Sequence, residues 1–171
     1  GNAVGNLREY WEAIEGSKMG VGGCIWDWVD QSIYPYDAIK NNQLTKNGFP
    51  AYITGFDCPG PHQYNFVNNG LVNADRAWSA ELDEVKRIYQ WVDFDLNTTS
   101  RQVKLTNKYL DRNLNQFYLK WTLLADGKPV QDGIVKKLNC AAGGTETVDL
   151  KYNPTAFAGK ELFLNIGLYT K

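Results

Sequence analysis

The sequence predicts an α+β mixed fold in two parts, a helix-and-strand part followed by an antiparallel β-sandwich. In the first part, apolar residues recur at helical spacing on both sides of a long segment rich in glycine, asparagine and proline. From about Arg101 onward the period changes to two, which is typical of half-buried strands. The pair Asp126-Gly127 then indicates a tight turn between two such strands.

The first part is predicted to contain two helices with one buried strand between them. Helical spacing of apolar residues predicts a helix that begins at Leu7 and ends near Gly16. The apolar run Gly22–Val29 predicts a strand. A second helix is predicted over Ser79–Tyr89, with basic residues favourably placed in its last turn.

The second part is predicted to be an immunoglobulin-like sandwich of about five strands. Such domains usually have about seven strands, so we expect a final strand beyond Lys171. Without that final strand, one edge of a sheet is unpaired and is available for pairing between chains. The predicted strands are Gln102–Leu105, Phe117–Leu123, Val130–Leu138, Thr145–Leu150 and Leu162–Leu168.

Composition excludes several classes of function. The chain has 171 residues and a net charge of −1, which gives no electrostatic basis for binding nucleic acid or an anionic membrane. No apolar run approaches the roughly 20 residues that a spanning helix needs. The three cysteines are widely spaced, so neither a disulfide framework nor a zinc site is indicated.

The stretch GGCIWDWVDQS combines two tryptophans with two aspartates. In a strand, Trp26 and Trp28 would share one face and Asp27 would point to the other. Asp27 and Asp30 therefore face each other only if the strand bends between them, which argues against a catalytic carboxylate pair. The tryptophans are open to two interpretations, as core residues or as an indole wall that packs on the C–H face of a sugar.

The stretch YNFVNNGLVNADR offers a second candidate site. Asn68-Asn69-Gly70 is open to interpretation as a turn. Asparagine oxygens are also hard ligands for a cation, and asparagine amides bind sugar hydroxyls. His62, the only histidine, is either solvated in its loop or lines a pocket.

Four blocks of sequence carry a family resemblance. The first three resemble, in order and separation, the end of the catalytic barrel of β-galactosidases of glycoside hydrolase family 2: GNAVGNLREYWEAIE, GGCIWDWVDQS and NFVNNGLVNADRAWSAELDEVKRIYQ. The fourth, LTNKYLDRNLNQFYLKWTLLADGKPVQDG, resembles the start of the immunoglobulin-like domain that follows this barrel. The resemblance implies a partial (β/α)8 TIM-barrel segment over residues 1–92 and an immunoglobulin-like β-sandwich over residues 93–171.

The resemblance also implies a function and its residues. The family contains retaining hydrolases that release terminal β-D-galactose. Trp26 matches the tryptophan that stacks on galactose, and the peptide bond after it is often cis in related barrels. Asn69 matches an asparagine that contacts galactose and binds sodium, and Phe66 matches a backbone carbonyl ligand of that ion. His62 is expected at the sugar site, although Gly55–Pro59 replaces the Asp-Phe-Gly-Asp run usual before this loop.

The resemblance finds no counterpart of either catalytic glutamate in this chain. The nucleophile is expected a few residues before Gly1, and the acid/base and the magnesium ligands further upstream. We therefore expect the isolated chain to be inactive. Its expected partners are a β-galactoside and the remainder of a homo-oligomeric parent, and the compartment stays open between cytoplasm and periplasm. Two alternatives remain open: a fragment of a β-glucuronidase or β-mannosidase, and a non-catalytic carbohydrate-binding or interdomain module.

Overall fold

The computed structural model describes residues 4–41 and 52–171. The chain divides into two compact units, residues 1–89 and residues 90–171. Helices and strands are mixed, and both sheets are antiparallel. None of the helices in the described ranges is long and apolar enough to cross a membrane.

In its described ranges, residues 4–41 and 52–89, the first unit contains three α-helices and a short 3-10 helix, with a small apolar core. Leu71, Leu82 and Val85 are its buried core residues, and partly buried side chains from the neighbouring segments pack against them. The rings of Trp11 and Tyr89 lie 4.2 Å apart. Both predicted helices are confirmed; the helices are α1 (Leu7–Gly16), α2 (Tyr36–Lys40) and α3 (Ala80–Ile88), and the 3-10 helix is Gly55–Asp57.

The predicted strand Gly22–Val29 is wrong. Within this run only Val29 forms a β-bridge, which is parallel and joins Val72. A strand exists only where a neighbouring strand completes its hydrogen bonds, and among the described residues such backbone partners begin only at Asp27. The apolar run has the composition of a buried strand, but the run itself does not supply the neighbouring strand that pairing requires.

The second unit contains two three-stranded antiparallel sheets. In one sheet the order is β1 (Val92–Asn97), β2 (Gln102–Asn107) and β5 (Thr145–Asp149). In the other, β3 (Phe117–Ala125) lies between β4 (Lys128–Val135) and β6 (Leu162–Thr170). The five predicted strands are therefore confirmed, with shifted ends.

The two sheets contribute to one hydrophobic core. Along β3, alternate residues from Phe117 to Ala125 are buried, as the period of two predicts. Leu105 from the first sheet and Leu119 from the second are fully buried in the same cluster. The buried Asn107 side chain donates hydrogen bonds to the carbonyls of Arg112, Cys140 and Ala141, so the polar group in this core is satisfied.

One strand, β1, was absent from the sequence prediction. Its residues alternate between apolar and polar in the manner of a half-buried strand, and Val92 is buried. Asp93 and Asp95 hide this pattern because aspartate is depleted in strands. Pairing with β2 along six residues stabilises the strand in spite of them.

The turn between β3 and β4 provides a test of pH dependence. Asp126 and Gly127 both have positive φ, as a type I′ hairpin turn requires. The Asp126 carboxylate accepts hydrogen bonds from Lys160 Nζ at 3.0 Å and from the Glu161 N–H at 3.1 Å. The Lys160 bond first, and then the Glu161 bond, hold the pKa of Asp126 below its ordinary value of 3.8.

We expect Asp126→Asn to lower the melting temperature at neutral pH by a few degrees. A lowered pKa in the folded state stabilises the fold above about pH 4, and this stabilisation is lost as the pH falls through the lowered pKa. The difference in melting temperature should therefore shrink towards about pH 2. Asp111→Asn, in an exposed loop, is the control; a difference that stays constant with pH would contradict the assignment.

Candidate functional site

The candidate site is formed by two segments of the first unit, residues 27–32 and residues 67–72. Backbone hydrogen bonds join them along their length, so residues about 40 positions apart in sequence are fixed side by side. The bonds, each from an N–H to a carbonyl, are Asp27 to Asn69 at 3.2 Å, Leu71 to Asp27 at 3.0 Å, Val72 to Trp28 at 2.9 Å, Asp30 to Val72 at 2.9 Å and Gln31 to Val67 at 2.7 Å.

Gly70 is required because the two segments approach closely there. A Cβ atom at this position would lie 2.2 Å from the Asp30 nitrogen and 2.3 Å from the Val29 carbonyl carbon. The Gly70 N–H donates to Asp30 Oδ1 at 2.8 Å. The interpretation of Asn68-Asn69-Gly70 as a turn is therefore wrong, because this stretch lies against the neighbouring segment.

Both aspartates of the WDWVDQS stretch hold backbone in place. Asp27 Oδ1 accepts from the Trp28 N–H at 2.8 Å, and its Oδ2 accepts from Gln31 Nε2 at 2.9 Å. Asp30 holds Gly70 across the two segments. These carboxylates stabilise the site, and neither is placed as a catalytic partner of the other.

Trp26 presents an open indole at one end of the paired segments. Its side chain is 82% exposed, and Trp28 is 61% exposed, so the interpretation of these residues as core is wrong. The peptide bond between Trp26 and Asp27 is cis, as the resemblance implied. The N–H of this peptide, that of Asp27, donates to the Asn69 carbonyl, so Trp26 and Asn69 belong to one local structure.

Asn69 carries a buried acceptor without a partner. Its side-chain Oδ1 is shielded from solvent, and no hydrogen-bond donor reaches it within the described part of the chain. A buried acceptor in this state costs free energy unless a ligand satisfies it. An alkali cation or a sugar hydroxyl would do so, because both are attracted to a neutral amide oxygen.

The oxygens that the resemblance assigns to a cation site are neutral, as those that hold an alkali ion can be. The buried Oδ1 of Asn69 supplies one neutral oxygen, and Phe66, three residues earlier in the same loop, supplies a backbone carbonyl as a second candidate. Magnesium usually takes carboxylate ligands. In residues 4–41 and 52–171, no three side chains of histidine, cysteine, aspartate or glutamate come together as a metal site.

His62 lies in a separate aromatic cluster. Its ring is 5.4 Å from the ring of Tyr64 and 5.5 Å from that of Phe56. His62 Nδ1 accepts from the Tyr64 N–H at 3.0 Å. Among the described contacts, none joins His62 to Trp26 or Asn69.

Several contacts near the site have no counterpart in the sequence analysis. The Ser79 hydroxyl, at the N-cap of α3, donates to the Leu71 carbonyl. Ser32 is buried, and its hydroxyl has no partner in the described part of the chain. Burial raises the pKa of Tyr52, and the charges of Asp75 and Asp30 act in the same direction. Only knowledge of which segments are adjacent would have identified these residues.

Two family models match the chain. Residues 1–94 match the model described as glycosyl hydrolases family 2, TIM barrel domain. Residues 103–171 match the model described as β-galactosidase, domain 4. The first match covers more than half of the chain, and together the matches confirm the resemblance to family 2 β-galactosidases. The chain therefore belongs to glycosyl hydrolase family 2.

Proposed function

We propose that this chain forms part of a retaining β-galactosidase that releases terminal β-D-galactose. Residues 1–92 would be the C-terminal part of its TIM barrel, and residues 93–171 an immunoglobulin-like sandwich. The observation that carries the proposal is the buried Oδ1 of Asn69, which has no partner among the described residues. The backbone of the same asparagine is tied to the peptide group that follows the exposed Trp26.

Trp26 and Asn69 would bind complementary parts of the sugar. The indole of Trp26 offers a flat apolar surface to the C–H face of galactose. The Asn69 oxygen would accept a hydrogen bond from a galactose hydroxyl or would hold the cation beside it. In this chain the ring of His62 contacts Phe56 and Tyr64. We propose that His62 contacts the sugar only when the remainder of the parent polypeptide is present.

Hydrolysis requires carboxylates that the resemblance does not locate in this chain. A retaining mechanism uses two carboxyl groups about 5 Å apart on either side of the glycosidic bond. Asp27 and Asp30 do not replace them, because their oxygens bind groups of the protein. We therefore propose that the remainder of the parent polypeptide supplies the nucleophile, the acid/base and the magnesium ligands.

The test is complementation. The chain would be mixed with a family 2 β-galactosidase polypeptide that has both catalytic glutamates but lacks the segment matched by residues 1–94. We expect neither partner alone to hydrolyse an aryl β-galactoside. The complex of the two, called here the complemented enzyme, is expected to hydrolyse it. Turnover by the purified chain alone, or a stable complex without turnover, would contradict the proposal.

Replacing Asn69 with alanine should weaken the dependence of the complemented enzyme on sodium. Removal of the buried oxygen deletes one cation ligand, and we expect sodium activation to need about tenfold more sodium. Activity would be titrated with sodium chloride against choline chloride at constant ionic strength. Asn68→Ala, at the exposed neighbouring position, is the matched control. If Asn69→Ala needs the same sodium concentration for half-maximal activation as the wild type, Asn69 is not a ligand of the ion.

A further inference from the structure

Asn69 and Gly70 form the dipeptide at which asparagine loses its side-chain amide most readily. In this reaction the backbone nitrogen of the following residue attacks the side-chain carbonyl carbon of asparagine, and glycine, which has no side chain, obstructs the attack least. Asparagine is for this reason among the thermolabile residues of proteins. The sequence contains two such pairs, Asn47-Gly48, which lies outside the described residues, and Asn69-Gly70, which lies in the candidate site.

The packing of the candidate site fixes the glycine of this pair. A Cβ atom at Gly70 would overlap backbone atoms of Val29 and Asp30. A larger residue, which would slow the reaction by shielding the backbone nitrogen, is therefore disfavoured at this position. The surroundings of the pair, and not its sequence, have to control its reactivity.

A carboxylate holds the nitrogen that would attack. The Gly70 N–H donates a hydrogen bond to Asp30 Oδ1 at 2.8 Å, in a partly buried position. The nitrogen has to lose this proton before it becomes a nucleophile, and its negative charge would then face the negative oxygen of Asp30. Like charges so close together disfavour ionisation. Asp30 therefore lowers the reactivity of the Gly70 nitrogen.

Backbone hydrogen bonds on both sides restrict the closure of the ring. The Asn69 carbonyl accepts from the Asp27 N–H at 3.2 Å, and the Leu71 N–H donates to the Asp27 carbonyl at 3.0 Å. Attack forms a succinimide ring, which fixes the ψ angle of Asn69 and leaves the Gly70 nitrogen without a hydrogen to donate. The side-chain Oδ1 of Asn69 is also enclosed, so ring closure has to displace a buried group. The paired segments therefore oppose the reaction as long as they stay together.

We propose that Asn69 is a modification site that the Gly70–Asp30 hydrogen bond keeps closed and that deamidates when the paired segments separate. The Gly70 nitrogen loses its proton to a base in the solvent and bonds to Asn69 Cγ. The Cγ–Nδ2 bond breaks, and Nδ2 takes up a proton and leaves as ammonia. A water molecule then opens the succinimide at one of its two carbonyl carbons, which gives aspartate or isoaspartate. The reaction needs water and a base, and no oxidant or reductant.

Either product changes the candidate site permanently. Aspartate places a carboxylate where the enclosed Oδ1 of Asn69 lies, and a buried charge is costly unless it is paired. Isoaspartate lengthens the backbone by a methylene group between residue 69 and Gly70, which shifts the hydrogen bonds to Asp27 and Asp30 out of register. The extent of modification therefore records how often the paired segments have been apart.

The test measures deamidation at Asn69 by peptide mass spectrometry in the 171-residue chain, in buffer and in denaturing urea. In urea, Asn69 should react at a rate similar to that of Asn47, since each precedes a glycine. In buffer, Asn69 should react at least about tenfold more slowly, because the reaction requires opening of the paired segments. Asp30→Ala should raise the rate in buffer by at least about tenfold and leave the rate in urea unchanged.

Two comparisons separate the effect of Asp30 on the nitrogen from a general loosening of the segments. Asp27→Ala removes the other carboxylate of the stretch, whose hydrogen bonds go to groups other than Gly70, and should change the rate at Asn69 by less than about threefold. Hydrogen exchange at the Leu71 N–H, which binds across the two segments, measures their opening. In Asp30→Ala, we expect deamidation to rise by a larger factor than this exchange.

Several outcomes would overturn the proposal. Wild-type Asn69 that reacts as fast in buffer as in urea would show that the segments give no protection. An unchanged rate in Asp30→Ala, or a rise no larger than that of hydrogen exchange, would show that Asp30 does not hold the nitrogen. If Asp30→Ala loses its native circular dichroism, Asp30→Asn decides, because it keeps the shape and a neutral acceptor; it should still react faster than the wild type, and an equal rate contradicts the proposal. The readout needs no sugar, cation or turnover, so it stands or falls apart from the proposed function.

Discussion

Replacing Trp26 with alanine is expected to lower kcat/KM of the complemented enzyme for an aryl β-galactoside by about 100-fold. The indole is 82% exposed, so its area is available to a ligand and is not committed to the core. Truncation removes the flat apolar surface on which galactose would pack. A loss of this size corresponds to about 2.7 kcal/mol of transition-state stabilisation.

The control for Trp26→Ala is Trp91→Ala. Trp91 is half exposed in the second unit, where it stacks on Tyr109, so its removal tests the general cost of losing an exposed indole. We expect less than about a threefold change in kcat/KM for this control. Equal losses in both variants, or an unchanged kcat/KM in Trp26→Ala, would reject the sugar-binding role of Trp26.

Gly70→Ala is expected to reduce turnover of the complemented enzyme by about 100-fold and to destabilise the first unit. The new methyl group would meet backbone atoms of Val29 and Asp30, which cannot move without separating the two paired segments. Overpacking against backbone costs about 1–3 kcal/mol or more. The hydrogen bond from Gly70 to Asp30 and the position of Asn69 would be lost together.

The matched control for this variant is Gly16→Ala at the end of α1. A Cβ atom there meets no other atom within 4 Å, so the same chemical change adds no contact. Alanine also favours helix more than glycine does, and the control should be neutral or slightly stabilising. Thermal unfolding by circular dichroism measures stability, and turnover measures the site. A Gly70→Ala chain that matches Gly16→Ala in both would contradict the close approach.

Local periodicity predicted most of the fold. Helices α1 and α3 and strand β3 could be read from sequence because their apolar residues repeat at the period of the element itself. Strand β1 was missed because Asp93 and Asp95 mask its alternation. The predicted strand Gly22–Val29 failed because strand formation depends on a neighbour, which a single segment of sequence does not contain.

The candidate site was predictable only in part. The resemblance singled out Trp26 and Asn69, and the structure places them in one local arrangement. The role of Gly70 and the unpartnered hydroxyl of Ser32 depend on the contact between distant segments, which spacing does not reveal. His62 was expected with the other site residues, and that expectation stays a prediction because its contacts lie with Phe56 and Tyr64.

The unequal size of the two hydrophobic cores has a consequence for ligand affinity. Among the residues that the structure describes, three buried residues form the core cluster of the first unit, whereas thirteen form that of the second. A unit with so few buried contacts opens more readily, and only its closed population can bind. The apparent dissociation constant equals the intrinsic one divided by the closed fraction. Each added contact that keeps this unit closed would therefore tighten the binding of a ligand at the candidate site without touching that ligand.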